Sequence, residues 1–103
     1  MTYRVVFTPE AEEQLSAVYR YLATEASPAI AYRYTHNTIE HCEGFNEFPY
    51  RAVRRDDIRQ GLRLTHFKGR VVIAFALDTD QVVIVGVFYG GQHYVNQLQP
   101  PVD

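Results

Sequence analysis

The side chains with proton-transfer or metal-binding chemistry in this 103-residue chain are four histidines, one cysteine and its carboxylates. His36 and His41 are five residues apart, which does not stack two ligands on one helical face as a spacing of four would. Cys42 stands alone and falls on an apolar stripe, where it reads as a small core residue. No phosphate-cradling loop, strand-to-helix serine elbow or His-Glu-x-x-His pattern occurs, so neither a metal nor a cofactor is expected. Between Ile58 and Tyr94 the only acids are Asp78 and Asp80, both in a turn. Proton transfer near neutral pH would therefore fall to His66 or His93. His66 alternates with Phe67 in a strand and is expected to pack or to face solvent. His93 and Tyr94, together with Arg63 and Arg70, form a set that could cleave RNA without metal. The histidine would move protons while the arginines neutralise the developing phosphorane charge. No carboxylate orients His93, which favours the competing reading of His93–Tyr94 as a C-terminal segment packed on the sheet edge.

Arginine is unevenly distributed. Residues 1–48 hold three arginines against seven glutamates, a net of −4, and residues 49–77 hold six arginines and Lys68 against Asp56 and Asp57, a net of +5. Residues 78–103 carry three aspartates and no cation. A basic middle between acidic flanks suits an anionic partner, whether nucleic acid or an acidic protein segment, although arginines also simply solvate exposed strands and loops. Arg54, Arg55, Arg59, Arg63 and Arg70 are the candidate binding residues, expected to line one surface. Tyr21 and Tyr32 lie off the apolar helical stripes and would expose amphipathic rings, as an interface would.

The elements that must position these residues follow from periodicity and punctuation. Tyr3–Phe7 is a β-branched and aromatic strand. Thr8, Pro9 and the early glutamates mark a helix start, and Ala11, Leu15, Val18 and Leu22 form one stripe on that helix. Ser27–Pro28 repeats the start signal, and Ala31, Thr35, Ile39, Cys42 and Phe45 fall on one face of a second helix, giving an antiparallel helical hairpin. The stripes are expected to pack on a sheet. Tyr50–Gln60 reads as a basic loop. Strands are predicted over Leu62–Phe67, Arg70–Leu77 and Gln81–Phe88, joined by a two-residue turn at Lys68–Gly69 and a second tight turn at Asp78–Asp80. The last two strands are apolar throughout, so their second face needs a cover of its own or a partner. The order β-α-α-β-β-β gives an α+β domain, an N-terminal strand and a helical hairpin on a mostly antiparallel sheet. One domain over residues 1–98 with a tail over 99–103 is expected. With 47% hydrophobic and 21% charged residues, no secretory signal and no apolar run of about 20 residues, a soluble cytoplasmic protein without membrane contact is expected.

The order and spacing of four segments resemble the RelE/ParE superfamily of toxins from type II toxin–antitoxin systems, above all its ParE branch. They are Tyr-Arg-Val-Val-Phe-Thr-Pro-Glu-Ala-Glu (3–12), Asn-Glu-Phe-Pro (46–49), Arg-Arg-Asp-Asp-Ile-Arg-Gln-Gly-Leu-Arg (54–63) and Val-Ile-Val-Gly-Val-Phe-Tyr-Gly-Gly-Gln-His-Tyr (83–94). The resemblance implies a plasmid-stabilisation type toxin that blocks DNA gyrase without catalysis, held in a hetero-oligomer by a cognate antitoxin whose C-terminal segment folds on it. Tyr89 and Tyr94 join the arginines as residues expected to meet target or antitoxin. The alternative it implies is a RelE-like, ribosome-dependent, metal-independent mRNA endonuclease using Arg63, Arg70, His93 and Tyr94. Gln92 stands where many such nucleases have arginine, and Gly86 interrupts the last strand, which favours the ParE branch. A third reading is a family member that only binds antitoxin and regulates its operon.

Overall fold

The computed structural model describes residues 2–47, 49–90 and 94–99. After β1 (Arg4–Phe7), Thr8 opens α1 (Pro9–Glu25): its Oγ1 accepts the Ala11 N–H at 3.1 Å, and Pro9 takes the position where no donor is needed. Ser27 does the same for α2 (Pro28–Glu43), accepting the Ile30 N–H at 3.1 Å. Only Ala26 and Ser27 separate the helices, so they fold back as an antiparallel pair. Two 3₁₀ turns (Gly44–Asn46 and Pro49–Arg51) lead to β2 (Val53–Arg54), then β3 (Leu62–Phe67), β4 (Val71–Leu77), β5 (Gln81–Tyr89) and α3 (Tyr94–Leu98). The five strands lie in the order β1-β5-β4-β3-β2, with β1 parallel to β5 and every other pair antiparallel. Among the described residues no helix is long and apolar enough to cross a membrane.

The expected α+β architecture is therefore present, with two additions. The stretch read as loop contains β2, whose two residues pair with Arg63 and Leu64. The stretch after β5 contains α3. The Lys68–Gly69 turn forms with both residues at positive φ, 54° and 69°, but it takes in Arg70, whose N–H donates to the Phe67 carbonyl at 3.3 Å, so β4 starts at Val71. β5 runs one residue further than expected, to Tyr89.

The helical stripes reach the sheet through two clusters. Ala11, Leu15, Cys42 and Phe45 pack with Val71, Ile73, Phe75, Val82, Ile84 and Val87, and Ile39 lies against that cluster. Val18 and Leu22 meet Ala31 in the second cluster, against which Tyr89 of β5 packs. On α2 the fully buried positions are Ala31, Thr38 and Cys42, while Thr35 and Ile39 are half-buried. Thr38 tolerates burial because its hydroxyl donates to the Tyr34 carbonyl at 2.9 Å. Phe45 lies beyond the helix end, in the first 3₁₀ turn, and stacks on Phe75 with centroids 4.6 Å apart.

The other face of the sheet has a separate core: Ile58, Leu62, Leu64, Val72, Ala74 and Phe88 with Leu98, flanked by Tyr94 and Val95 of α3. A bulge makes both faces apolar. Ala74 pairs with Gly86 but Phe75 with Ile84, leaving Val85 as the extra residue, so Val87 turns to the helices and Phe88 to α3. At Gly86 a Cβ would lie 2.6 Å from Phe88 Cζ and 3.5 Å from Leu98 Cδ2. Glycine there lets the Phe88 ring fold back over the strand and lets α3 dock.

Candidate functional site: a divided basic surface

The arginines of residues 54–63 are held by their own loop. Arg54 Nε lies 2.7 Å from Asp56 Oδ2, and Arg55 forks onto Asp57 through Nε and Nη2, both at 2.9 Å. The Gly61 N–H, donated to Asp56 Oδ1 at 2.7 Å, and then Arg54 hold the Asp56 carboxyl below the usual carboxylate range. Arg55 does the same for Asp57, and Asp57 in turn pushes the Arg55 guanidinium up. Two of the cations that make the middle third basic are thus neutralised within four residues of sequence. Arg54 sits directly across from Arg63 in the β2–β3 ladder, a repulsive pairing that Asp56 relieves. Arg63 itself is spread over the Tyr50 ring, 5.0 Å from its centroid, with Nη1 donating to the Ala52 carbonyl at 3.4 Å. Tyr50, largely exposed, meets the Tyr3 hydroxyl at 3.1 Å.

On the α3 face a cavity of about 220 Å³ is lined by Arg55, Thr65, His66 and Tyr94 above Ala52, Val53 and Leu64. Strand alternation puts His66 there, two residues along from Leu64. The Tyr94 ring packs on Phe88, centroids 6.1 Å apart.

A third group lies at the far end of the helical face. The Tyr89 ring meets Tyr21 at 5.9 Å and Tyr34 edge-on at 5.7 Å. Lys68 Nζ stands 6.0 Å over the Tyr34 ring. Burial and the nearby Tyr89 push the Tyr34 hydroxyl up, opposed by Arg70. Beside them α1 and β5 leave a cavity of about 360 Å³, lined by Gln14, Ala17, Val18, Tyr21, Val87, Tyr89 and Gly90. Arg59 is elsewhere, with Glu10 and Gln14 around a cavity beneath the start of α1.

The family model of the ParE toxin of type II toxin-antitoxin system, parDE, matches residues 5–94. The chain belongs to the ParE toxin family. Among solved structures it is similar to a chain of the chromosomal ParDE TA system from P. aeruginosa, at 14% identity and a TM-score of 0.76, over 86% of this chain and 97% of that one. At that identity the likeness is one of fold. No curated protein matches the chain.

Within this ParE fold the residues singled out by sequence do not form one patch. Arg63 lies on the strand face opposite Leu62 and Leu64, and Arg70 stands by Tyr34, so both belong to the helical side. Tyr94 lies on the other side, and His93 falls outside the described residues. Tyr89 and Arg70 do come together; Arg54, Arg55 and Arg63 are bound up locally. Sequence reasoning set aside His66, which shares a cavity with Tyr94 and Arg55. It also passed over Gln14, whose signal was its spacing: three residues after Ala11 and four before Val18, a polar side chain on an apolar face. No group of three or more metal-ligating side chains exists among the described residues.

Proposed function

We propose that this chain is the toxin of a two-component module, that it inhibits DNA gyrase by contact, and that a cognate antitoxin neutralises it in the cytoplasm. The observation that carries this reading is the match to the ParE toxin family over residues 5–94. The geometry supports contact over cleavage: Arg63 and Arg70 lie across the sheet from Tyr94, so the arginines that would stabilise a phosphorane do not converge on the candidate proton donor. Tyr89, Arg70 and the exposed rings of Tyr21 and Tyr32 supply a contact surface that needs no reaction. The test is a supercoiling assay with purified gyrase, with and without the product of the neighbouring short reading frame. Inhibition that the neighbour relieves is expected. A chain that leaves gyrase untouched while halting translation would overturn the gyrase target.

One observation favours the second reading, an mRNA endonuclease. His66, Tyr94 and Arg55 border one cavity and could serve as proton-handling groups and cation. On that reading His66→Ala with Tyr94→Phe costs about 10²–10⁴-fold in cleavage rate. On the gyrase reading the pair leaves inhibition within about threefold of the parent, because no chemical step depends on either side chain.

A further inference from the structure

Beside the bulge at Val85 lies a space that neither cover of the sheet fills. β1 ends at Phe7, opposite Ile84, and the chain turns away into α1 at Pro9. Val85, Phe88 and Leu98 pack together on the α3 side. Between them and the first turns of α1 is a cavity of about 390 Å³, to which Arg59 of the loop before β3 also contributes. Small-ligand pockets span about 300–1,000 Å³. This cavity is distinct from the one between Tyr21 and Tyr89; among the described residues the two share only Gln14.

Its α1 wall presents a donor beside an acceptor. Glu10 and Gln14 are four residues apart, so their side chains are neighbours on one helical face. Gln14 Oε1 accepts the Val87 N–H at 2.7 Å, which fixes the amide and leaves the Nε2 hydrogens to serve the cavity. Glu10 is exposed and offers carboxylate oxygens, which only accept. Arg59 enters from a different element. Its carbonyl accepts the Leu62 N–H at 3.0 Å, which holds the residue in its turn, and its side chain is half-buried. Arg54 and Arg55 are neutralised by their own aspartates, whereas neither Arg59 nor Glu10 belongs to an ion pair among the described residues.

These groups specify an occupant. A simple anion would meet repulsion at Glu10, and a simple cation would meet it at Arg59. A hydrocarbon would leave the polar wall unpaired. A donor beside an acceptor complements the edge of guanine, whose O6 accepts while its N1–H and 2-amino group donate. Adenine carries the opposite pattern there, a donor at N6 and an acceptor at N1. The apolar floor of Val85, Phe88 and Leu98 suits a base, and a cation with no partner suits a phosphate.

We propose that this cavity binds a guanine mononucleotide. The Glu10 carboxylate accepts from N1–H and the 2-amino group, Gln14 Nε2 donates to O6, and Arg59 holds the phosphate. The site goes beyond the toxin–antitoxin reading and does not depend on it.

The experiment titrates GMP into the full chain and follows the Val87 amide and the Gln14 side-chain amide by NMR. Both resonances should move, with a Kd of about 100 μM or tighter. AMP should bind about 10-fold or more weakly, because it sets a donor against Gln14 Nε2 and an acceptor against Glu10. Glu10→Gln should cost GMP about 10-fold and erase its preference over AMP. Arg59→Gln should cost GMP about 10-fold and leave guanosine within about threefold. Glu25→Gln, at the other end of α1, should change GMP binding by less than about threefold. No movement at millimolar GMP overturns the site. Equal binding of GMP and AMP, or displacement of GMP by an equal concentration of inorganic phosphate, overturns base recognition and the proposal with it. A guanine-containing single-stranded RNA that binds about 100-fold tighter than GMP assigns the cavity to a strand and overturns the mononucleotide.

Discussion

Under α1 and α2 the sheet meets two capped helices of 17 and 16 residues, whereas its other face is covered by the five residues of α3 and the turn-rich stretch from Arg55 to Gly61. Both covers bury apolar side chains to 9% exposure or less. They differ in what holds the cover itself in place. The long helices satisfy their own backbone groups and carry Thr8 and Ser27 caps, so burial adds to a structure that is already locally favoured. A five-residue helix is far below the length at which helix formation is favourable in water, and α3 exists only because Leu98, Tyr94 and Val95 dock. The helical face is therefore the stable platform, and the α3 face is where cover and core can separate.

The largest expected effect tests the platform. Phe75 is fully buried and stacks on Phe45, so Phe75→Ala should cost about 3–5 kcal/mol, a large share of the roughly 5–15 kcal/mol that holds a domain folded. Urea unfolding followed by circular dichroism should show the midpoint collapse. A loss below about 1 kcal/mol would mean that the hairpin does not carry the fold.

Leu98→Ala tests the other cover. It removes a side chain with 3% exposure, yet its expected consequence is local: α3 undocks, and Phe88 and Leu64 become accessible. Hydrogen exchange should rise by about 10-fold or more in α3 while β4 amides keep their protection. Exchange that rises equally in β4 and α3 would merge the two faces into one cooperative unit and break the comparison.

The same contrast explains what was legible in the chain. Cap-plus-proline signals at Thr8–Pro9 and Ser27–Pro28 act within one turn, so local sequence suffices to place both helix starts. β3 was legible over Leu62–Phe67 because the residues on one of its faces, Leu62, Leu64 and His66, alternate with those on the other. β2 was not, since two residues have no period and Val53–Arg54 becomes a strand only by pairing with Arg63 and Leu64. α3 needs its docking site before it is a helix. The candidate surface divided for a related reason. Charge counting sees Arg54 and Arg55 as available cations, but Asp56 and Asp57 follow at a spacing of two, and the turn folds each acid back onto its arginine. The bulge at Val85 decides which face each residue of late β5 serves, and a period-two reading of apolar residues cannot register it.

Smaller effects should come from the caps. Thr8→Ala and Ser27→Ala each remove an acceptor from a first-turn N–H, at 3.1 Å in both helices, and should cost about 1 kcal/mol apiece. They should add in the double variant, because the two caps share no partner. A combined loss well beyond the sum would show that the hairpin's helix starts are coupled through the sheet.

The smallest effect separates the basic loop from the platform by pH. Asp56 and Asp57 both have carboxyls held below the ordinary value, the first by the Gly61 N–H and Arg54, the second by Arg55. A carboxyl depressed in the folded state contributes its stability above the unfolded value, near pH 3.9, and loses it as pH falls through the lower folded value. The loop should therefore keep its ion pairs through neutral and mildly acidic solution and release them only in strong acid. The Gly61 amide, which donates to Asp56 at 2.7 Å, reports the event directly. Its NMR shift should titrate with a midpoint below about pH 3.9. Asp56→Asn keeps an acceptor oxygen but no charge, and should remove that titration without disturbing the α1 and α2 resonances. If the Gly61 transition instead coincides with loss of the helical signals, the loop and the platform unfold together, and the distinction between the two covers fails.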